Sequence, residues 1–367
     1  MSSSSDADTD KKVIVPVENL RAFTERVIVK AGAKPAHAEA LAELIVAADH
    51  RGHFSHGLNR LDYYADGIAR GLNASDKEPE ITKQGPSTAL VNGNNCLGPV
   101  VGKMCIDLAI EKAKSTGVGW VCATGSNHFG ISGWYSIRAM EQDMIGMAFC
   151  NSSPTMVHPR GKKRLLGTNP ICVAAKGEGD DEFVLDMATT TVALGKVEVK
   201  HKLGEQIPMG WGVDADGKPS TDTGCILQSG GLHPLGGKEE TSGYKGFGLG
   251  MMVELFCGVL SGSKFGTQLG KWTDAGFDSM ANLGQCFVAI DPTAFAPGFQ
   301  GRLSELIRQI KTSEPGEGHS ELLVSGDPER AHIQLCQGLG GIPYHRSQIE
   351  FADGLADKYA VSRLMTA

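Results

Sequence analysis

The stretch HRGHFSHGLNR, residues 50–60, places three histidines at a spacing of three, with a serine beside the last and an arginine four residues further on. Imidazole, hydroxyl and guanidinium groups are those with which proteins bind metals, transfer protons and hold carboxylates. Three interpretations are open: a metal site, a catalytic acid with a substrate clamp, or an ordinary junction between two helices.

The first interpretation is a zinc site formed by His50, His53 and His56, since imidazole is a common zinc ligand. A spacing of three, taken twice, spreads the side chains over a wide arc of a helix, and Gly52 would interrupt that helix. A zinc hydrolase is therefore kept as the alternative from a different class of protein. A polar junction with solvated side chains explains His50 and His53 equally well.

His56 allows a more specific hypothesis, because Ser55 precedes it and Arg60 and Tyr64 follow at i+4 and i+8. On a helix these spacings place three side chains along one edge. An imidazole exchanges a proton with a carbinol oxygen, a guanidinium binds a carboxylate through two hydrogen bonds, and a phenol closes the pocket. The pattern predicts a site for a 2-hydroxy or 2-oxo acid.

Five further loops combine polar side chains with glycine or proline at the ends of predicted strands and helices. They are ATGSNHFG (123–130), NSSP (151–154), GTNP (167–170), DMATT (186–190) and GYKGFG (243–248). Each alone is explained as a capped turn, but backbone N–H groups at a helix start also bind anions. Five of them together favour a large ligand such as a dinucleotide. No G-x-G-x-x-G occurs, so a nicotinamide enzyme here needs a fold other than the Rossmann fold.

Hydrophobic periodicity gives the elements that position these residues. It predicts helices from Pro16 to Gly32, over 35–48 and over 58–71, with Ser55 as the N-cap of the third. After a loop over 73–99, it predicts helices at 101–115, 131–142, 190–200, 245–260, 302–311 and 347–359, and strands at 118–123, 145–150, 171–175, 183–187 and 286–290. The result is an α/β fold of the α+β type, with a disordered tail (1–12) and a helical domain (13–85 plus 297–367) into which a sheet domain (86–296) is inserted.

Composition excludes several classes of function. The 367 residues are 41% hydrophobic and 21% charged, with a net charge of −7. This is typical of a globular protein and lacks the positive field that attracts nucleic acid or anionic membranes. No window reaches the roughly 20 apolar residues of a membrane span. The nine cysteines are scattered singly, which favours reduced thiols in a cytoplasmic protein.

Seven segments, in order, resemble the type 2 malate/L-lactate dehydrogenase family. They are SHGL-x-R-x-x-x-Y (55–64), TGSNHFG (124–130), NSSP (151–154), LLGTNPI (165–171), DMATT (186–190), A-x-GK (193–196) and YKGFGL (244–249). The resemblance runs from about residue 15 to GGIPY at 340–344. It implies a homodimeric NAD(P)-dependent oxidoreductase whose cofactor domain is a mainly antiparallel sheet, unrelated to the Rossmann fold.

The resemblance also implies a role for each matching residue. Ser55 orients His56, His56 donates the proton in reduction, and Arg60 binds the substrate carboxylate, while Thr168 is a further substrate contact. The residues expected to contact the cofactor are His128, Phe129, Gly130, Ile131, Ser132, Asp186, Met187, Ala188, Lys196, Lys245, Gly326 and Asp327, the last two within the loop at 323–329.

The predicted function is hydride transfer between nicotinamide and C2 of a small 2-hydroxy or 2-oxo acid, such as malate, lactate or sulfolactate. NAD is favoured over NADP, although Arg160, Lys162, Lys163 and Arg164 would suit a 2′-phosphate. The nearest alternative is a reductase of cyclic imine acids or diketo acids on the same scaffold. A third is a protein that binds a cofactor without turnover, against which the set of Ser55, His56 and Arg60 argues.

Overall fold

The computed structural model describes residues 12–270, 272–273, 276–277 and 279–367. The chain divides into two compact units. The first contains the residues up to Gly71 together with Asp327–Ala367, and the second contains Leu72–Gly326. The tail predicted at 1–12 lies outside the described residues, apart from Lys12.

The described residues form eleven α-helices and sixteen strands. The helices are α1 (Val17–Ala31), α2 (Pro35–His50), α3 (Leu61–Ala69), α4 (Gly98–Thr116), α5 (Gly133–Met140), α6 (Leu194–Lys202), α7 (Thr223–Gln228), α8 (Gly243–Glu254), α9 (Phe299–Lys311), α10 (Asp327–Leu339) and α11 (Arg346–Tyr359). The strands are β1 (Val13–Val15), β2 (Glu80–Gln84), β3 (Thr88–Asn92), β4 (Val118–Ser126), β5 (Ile145–Cys150), β6 (Met156–Val157), β7 (Arg164–Leu166), β8 (Ile171–Lys176), β9 (Glu182–Met187), β10 (Gly212–Val213), β11 (Pro219–Ser220), β12 (Gly231–Leu232), β13 (Trp272–Thr273), β14 (Gly276–Phe277), β15 (Leu283–Ile290) and β16 (Ile342–Tyr344). None of these helices is long and apolar enough to span a bilayer.

The first unit is helical. Helix α1 packs against α2, α3 and α11, and β1 pairs antiparallel with β16. Leu20, Phe23 and Leu41 are fully buried between these helices, and burying each such side chain contributes roughly 1.5–3 kcal/mol. As predicted, α1 ends at Gly32, which adopts a left-handed conformation with φ 117°.

The second unit is built on a seven-stranded sheet in the order β2-β3-β4-β15-β5-β8-β9. Five of its six strand pairs are antiparallel, and only β3 and β4 run parallel. A smaller sheet has the order β11-β10-β12-β6-β7, and β13 pairs with β14. The predicted α/β fold with a mainly antiparallel sheet is confirmed.

Helical segments cover both faces of the central strand β15, and glycines allow them to approach closely. A Cβ at Gly119 would lie 1.9 Å from a backbone oxygen of α4, and a Cβ at Gly146 would lie 2.2 Å from a backbone oxygen of α5. On the opposite face, a Cβ at Gly284 would lie 1.7 Å from the carbonyl oxygen of Cys257, in the π-helical segment Leu255–Val259 that continues α8. Alternate residues of β15 therefore face α4 and α5 or the π-helical segment.

Several elements differ from those predicted. The stretch at 73–99 contains β2 and β3, whose pairing was hidden by the surrounding turn residues. These strands and α9 lie in the second unit, so the borders predicted after residues 85 and 296 fall inside that unit. The helix α10 begins within the segment predicted as a loop, with Asp327 and Glu329 in its first turn, where acidic side chains favour the helix dipole.

Candidate active site

The three histidines lie at the end of α2 and in the turns that follow it. His50 ends the helix, and its carbonyl oxygen is 3.1 Å from Nδ1 of His332. His53 donates its backbone N–H to Ala48, and its Nε2 lies 3.5 Å from Oε1 of Glu329. His50 and His53 are therefore tied to α10 by separate contacts.

No three or more His, Cys, Asp or Glu side chains in the described ranges are grouped so that they could hold a metal ion. The segment between α2 and the 3₁₀ turn Leu58–Arg60 is not helical, and Gly52 has a positive φ of 82° within it. His50, His53 and His56 consequently do not converge. The structure therefore gives no support to a zinc hydrolase built on these histidines, since the described residues around them form no metal-binding group.

Ser55, His56 and Arg60 are brought together by two short contacts. The Ser55 hydroxyl oxygen lies 2.9 Å from His56 Nδ1, and Arg60 Nε donates to the Ser55 carbonyl oxygen at 2.9 Å. The first contact fixes the plane of the imidazole, and the second fixes the guanidinium relative to the same serine. The prediction that Ser55 is the N-cap of the third helix is wrong, because its hydroxyl bonds to the His56 imidazole instead.

The environment of His56 keeps its imidazole neutral. Burial is the largest cause that lowers its pKa from the ordinary 6.5 to about 3, followed by the electrostatic effects of Arg60 and of His53. A neutral imidazole offers a lone pair at one nitrogen and an N–H at the other. For Nε2 to act as a base, Nδ1 carries the hydrogen and donates it to Ser55. The arrangement can therefore accept a proton at neutral pH.

Tyr64 differs from its predicted place. The helix α3 begins at Leu61, so His56, Arg60 and Tyr64 do not share the edge of one continuous helix. Tyr64 is only 1% exposed, and its ring packs edge-on against Tyr63, with centroids 5.6 Å apart. Its position suits packing in the core of the first unit better than contact with a substrate.

In the second unit, the segment from Asn127 to Ser132 connects β4 to α5 and is tightly packed. Phe129 is 2% exposed and stacks on Tyr135, with centroids 4.7 Å apart, and the Tyr135 hydroxyl donates to the Phe129 carbonyl oxygen at 2.7 Å. The Gly130 N–H donates to His128 Nδ1 at 3.3 Å. The packing of Phe129 and the bond between Gly130 and His128 thus fix the shape of this loop.

The start of α5 carries the polar groups of this loop. Asp186, on β9, accepts a hydrogen bond from the Gly133 N–H at 2.6 Å and so caps the helix. Ser132 is 1% exposed, and its hydroxyl oxygen is buried with no protein partner. Ile131 is also buried, at 5% exposure. A buried hydroxyl without a partner is costly, so it indicates a place where a ligand supplies the missing hydrogen bond.

Thr168 joins two of the loops singled out in the sequence. Its N–H donates to the Ser152 hydroxyl oxygen at 3.0 Å, and the two hydroxyl oxygens are 3.3 Å apart. Its carbonyl oxygen accepts from the N–H of Thr189 at 2.8 Å. Thr168 is partly exposed, and these bonds fix its backbone.

A buried carboxylate that the sequence prediction missed lies beneath the same loops. Glu254, 6% exposed, accepts hydrogen bonds from the amides of Asn151 and Asn169, each at 3.0 Å. Asn169 in turn accepts the N–H of Ser152 at 3.1 Å. Burial raises the pKa of Glu254, while the two amides oppose that rise. Glu254 therefore ties the loops at 151–154 and 167–170 to the end of α8.

The other residues predicted to contact the cofactor are scattered over several elements. Lys196 is exposed on α6, and Lys245 is exposed on α8 with its Nζ 5.9 Å from the centre of the Tyr244 ring. Met187 and Ala188 are partly exposed at the end of β9. Gly326 is buried with φ 101°, and Asp327 begins α10 and pairs with Arg330.

The basic run at 160–164 is largely engaged with other protein groups. Arg160 forms a two-pronged ion pair with Glu239, and Lys162 Nζ lies 3.3 Å from a carboxylate oxygen of Asp216. Arg164 donates to three backbone carbonyl oxygens at and just beyond the end of α7. Arg164 is therefore bonded to the backbone around the end of α7, while Arg160 and Lys162 form ion pairs at the exposed surface.

Comparison with known proteins gives consistent matches over nearly the whole chain. The family model for malate/L-lactate dehydrogenase matches residues 15–351. Malate dehydrogenase from Pyrococcus horikoshii is 37% identical over 353 residues, 95% of this chain and 96% of that protein. Its solved structure has a TM-score of 0.88 at 35% identity and covers 99% of this chain and 100% of that one.

Two further relatives differ in the substrates that their names give. L-sulfolactate dehydrogenase from Methanocaldococcus jannaschii is 39% identical over 324 residues, 86% of this chain and 89% of that protein. The solved structure of delta1-piperideine-2-carboxylate reductase from Pseudomonas syringae has a TM-score of 0.83 at 30% identity, and the match covers 94% of this chain and 99% of that one.

Proposed function

Because the chain belongs to the malate/L-lactate dehydrogenase family of NAD(P)-dependent oxidoreductases, we propose that its substrate is a 2-hydroxy acid of the malate, lactate or sulfolactate type, interconverted with the 2-oxo acid at C2. The observation that carries this proposal is the contact of His56 with Ser55 and of Ser55 with Arg60. One short segment thereby holds a proton-transfer group and a carboxylate-binding group in fixed relation.

The second unit has polar groups that fit a nicotinamide cofactor. The buried Ser132 hydroxyl lacks a protein partner, and the Asp186 carboxylate lies at the start of the same helix. Hydroxyl and carboxylate groups suit the ribose hydroxyls and carboxamide of such a molecule. His128, Gly130, Met187, Ala188 and Lys196 are the further proposed contacts, together with Phe129, Ile131, Lys245, Gly326 and Asp327. When bound, the nicotinamide supplies or takes up the hydride at C2.

Arg60 is proposed to bind the substrate carboxylate. A guanidinium pairs with a carboxylate through two parallel hydrogen bonds, which fix orientation as well as charge. The bond from Arg60 Nε to the Ser55 carbonyl sets the plane of that guanidinium before substrate arrives. The carboxylate would therefore be held in a fixed direction from His56. Thr168 is proposed to add a polar contact to the same substrate.

His56 is proposed to move the proton. In oxidation, neutral His56 takes the hydroxyl proton at Nε2, while its Nδ1–H keeps its hydrogen and donates a hydrogen bond to the Ser55 hydroxyl oxygen. In reduction the proton on Nε2 returns to the oxygen at C2. The positive charge of Arg60 is one cause of the low pKa of His56. A substrate carboxylate on Arg60 offsets that charge, so substrate binding raises the pKa of His56 toward the range that proton donation needs.

We propose NAD rather than NADP as the cofactor. Of the four basic residues that would suit a 2′-phosphate, Arg160, Lys162 and Arg164 are engaged with carboxylates or carbonyl oxygens. Recruiting them to a phosphate would break those contacts. Lys163, which is exposed, would be left to bind the phosphate, and a single exposed lysine contributes little.

Reduction of a cyclic imine acid is the second candidate reaction. The likeness to the piperideine-carboxylate reductase supports it. The carboxylate of such a substrate would bind Arg60 in the same way, and the proton from His56 would go to the ring nitrogen instead of an oxygen. The two reactions thus use the same residues and differ in the acceptor atom.

A homodimer in the cytoplasm is proposed as the working state. Apolar side chains form an exposed row along α8 and its π-helical continuation, with Tyr244, Met251, Leu255 and Val259 each more than half exposed, at 53%, 58%, 52% and 54%. Such a row is typical of a protein–protein contact. Replacing Met251 and Leu255 by glutamate is expected to give a monomer in light scattering. The nine cysteines, none of which forms a disulfide, fit a reducing compartment.

The test of the reaction is the absorbance of reduced nicotinamide. Purified protein is mixed with NADH or NADPH and, in separate wells, oxaloacetate, pyruvate, sulfopyruvate or a cyclic imine acid. We expect oxidation of NADH with one of the three oxo acids. Turnover of the imine alone would replace the first candidate by the second. Cofactor binding without turnover of any compound would refute the proposed substrate class.

A further inference from the structure

Asp49 is a buried carboxylate next to the His56 segment, and no step above uses it. It is the last but one residue of α2 and is 0% exposed. Its Oδ2 accepts two hydrogen bonds, from the Leu58 N–H at 2.8 Å and from the Tyr344 hydroxyl at 2.5 Å. Because burying a carboxylate is costly even when it is bonded, these contacts need an explanation beyond simple packing.

The Asp49 carboxylate leaves no space for a side chain at Gly57. A Cβ on Gly57 would lie 1.8 Å from Asp49 Oδ1 and 2.1 Å from its Cγ. Gly57 has a negative φ of −96°, so a left-handed conformation is not the reason for a glycine at this position. The residue is small because the carboxylate occupies the place of a side chain. The chain after His56 is therefore built directly on Asp49.

These contacts enclose His56 from both sides along the chain. After it, Gly57 and Leu58 rest on Asp49. Before it, Ser55 bonds to its ring and to Arg60. A shift of residues 57–58 would thus move both the imidazole of His56 before them and the guanidinium of Arg60 after them.

Tyr344 contacts the segment around His56 in a second way, through the packing of its ring. Its ring packs edge-on against Phe54, with centroids 5.7 Å apart, and Phe54 packs in the same way against His332 at 5.5 Å. The hydroxyl of Tyr344 meanwhile reaches Asp49. One residue of β16 therefore contacts the segment on its aromatic side and through the buried carboxylate.

We propose that Asp49, together with Tyr344, is a positioning residue that holds the turn at residues 57–58 and so sets the orientation of His56 and Arg60. This rests on the proposed role of His56. Asp49 acts through hydrogen bonds and does not touch the substrate.

The ionisation of Asp49 is consistent with this role. Burial raises its pKa from 3.8 to about 7, against the hydrogen bonds from Leu58 and Tyr344, which lower it. The other ionisable groups that face it are the Tyr344 hydroxyl and the Cys336 thiol, whose own pKa values are raised. A change of protonation near neutral pH would alter both hydrogen bonds that Asp49 accepts.

The experiment compares Asp49→Ala, Asp49→Asn and Tyr344→Phe with the wild type. Three quantities are measured: kcat and KM for the preferred acid, the Kd of NADH by fluorescence, and the tautomer of His56 from long-range ¹H–¹⁵N spectra, with His56→Gln identifying its signals. The spectrum and the NADH titration do not need turnover. They therefore test the positioning role even if none of the offered acids is the substrate.

We expect Asp49→Ala to lower kcat by about 10²-fold, the cost typical of a misplaced catalytic group, with a mixed His56 tautomer and an unchanged NADH Kd. Asn accepts both hydrogen bonds through one oxygen, so Asp49→Asn should restore kcat to within about threefold and remove any step near pH 7 from the rate profile. Tyr344→Phe, which keeps the ring, should lose less than Asp49→Ala.

Three results would overturn the proposal. One is an Asp49→Ala protein with wild-type kcat and tautomer. Another is an Asp49→Asn protein that fails as badly as Asp49→Ala although its His56 spectrum is normal. If Asp49→Ala does not fold, Tyr344→Phe decides, and a wild-type kcat and spectrum in that variant would refute the role of the pair.

Discussion

The segment that carries His56 and the loops that carry Thr168 are held by different kinds of contact. Ser55, His56 and Arg60 lie within six residues and are joined by short bonds among themselves. Thr168 is held by Ser152, and the loops of both residues are held by the carboxylate of Glu254, whose amide partners are 85 and 103 residues away along the chain.

Because of this difference, we expect substitutions in the two regions to have different effects: loss of activity at the His56 segment and loss of stability at the Glu254 contacts. The groups around His56 are partly exposed, so removing one of them costs function before it costs folding. The amides that bond to Glu254 are fully buried, so removing one leaves a polar group without a partner and costs folding first.

The largest effect is expected for His56→Ala. Without its proton-transfer group the enzyme should lose about 10²–10⁴-fold in kcat, while the melting temperature and the Kd of NADH stay unchanged. His50→Ala, in the same stretch, is the control, because its contact to His332 uses the backbone carbonyl. A His56→Ala enzyme with more than a tenth of wild-type kcat would remove His56 from the mechanism.

Arg60→Gln should chiefly raise KM for the acid. Losing a charge-assisted pair costs roughly 1.5–3 kcal/mol, which corresponds to a factor of about 10–100. Arg60→Lys keeps the charge but not the forked geometry and should recover only part of the loss. The matched control is Arg346→Gln, an exposed arginine of the same unit. Equal KM values for Arg60→Gln and wild type would contradict carboxylate binding by Arg60.

Asn169→Ala is expected to act on stability. It leaves Glu254 with one donor fewer and the Ser152 N–H without its acceptor, so the free energy of unfolding should fall by about 1–3 kcal/mol. Urea denaturation measures this. Gln309→Ala, an exposed amide bonded to Glu305, should change it by less than about 0.5 kcal/mol. Equal stability of the two variants would show that the Glu254 contacts contribute nothing special.

The smallest effect is a pH dependence of stability at His56. The folded pKa is about 3 and the ordinary value is 6.5, so between these values the unfolded chain binds a proton that the folded chain does not. His56 therefore contributes less to stability as pH falls. The stability of wild type relative to His56→Gln should fall by on the order of 1–2 kcal/mol between pH 7 and pH 5. A difference that stays constant over this range would show that the imidazole titrates normally.

The same contrast between local and distant contacts explains how much of the site could be predicted from the sequence. Ser55, His56 and Arg60 were predicted together because their contacts are local. The role of Ser55 as an N-cap and the helix edge shared with Tyr64 were wrong, because α3 begins only at Leu61. A short non-helical turn of this kind has no periodicity from which to predict it.

The parts of the site that depend on distant contacts were recognised only in pieces. Asn151 and Asn169 lie in loops that the sequence analysis identified as candidate ligand loops, but their partner Glu254 lies outside those loops. Glu254 stands inside the apolar run FGLGMMVELFCGVL, and a single charged residue in such a run was the available signal of a buried, bonded carboxylate. Asp49 gave no comparable signal, since its partners Leu58 and Tyr344 are an N–H and a hydroxyl from separate elements.

The cysteines allow the opening motions of each unit to be followed separately. Eight of the nine are buried, with Cys336 in the first unit and Cys122, Cys257 and Cys286 in the second, and none forms a disulfide. A thiol reagent reaches a buried cysteine only while the surrounding structure is open, so each labelling rate reports the free energy of a local opening. Labelling resolved by peptide mass would therefore yield two opening energies from one unmodified protein, one for each unit.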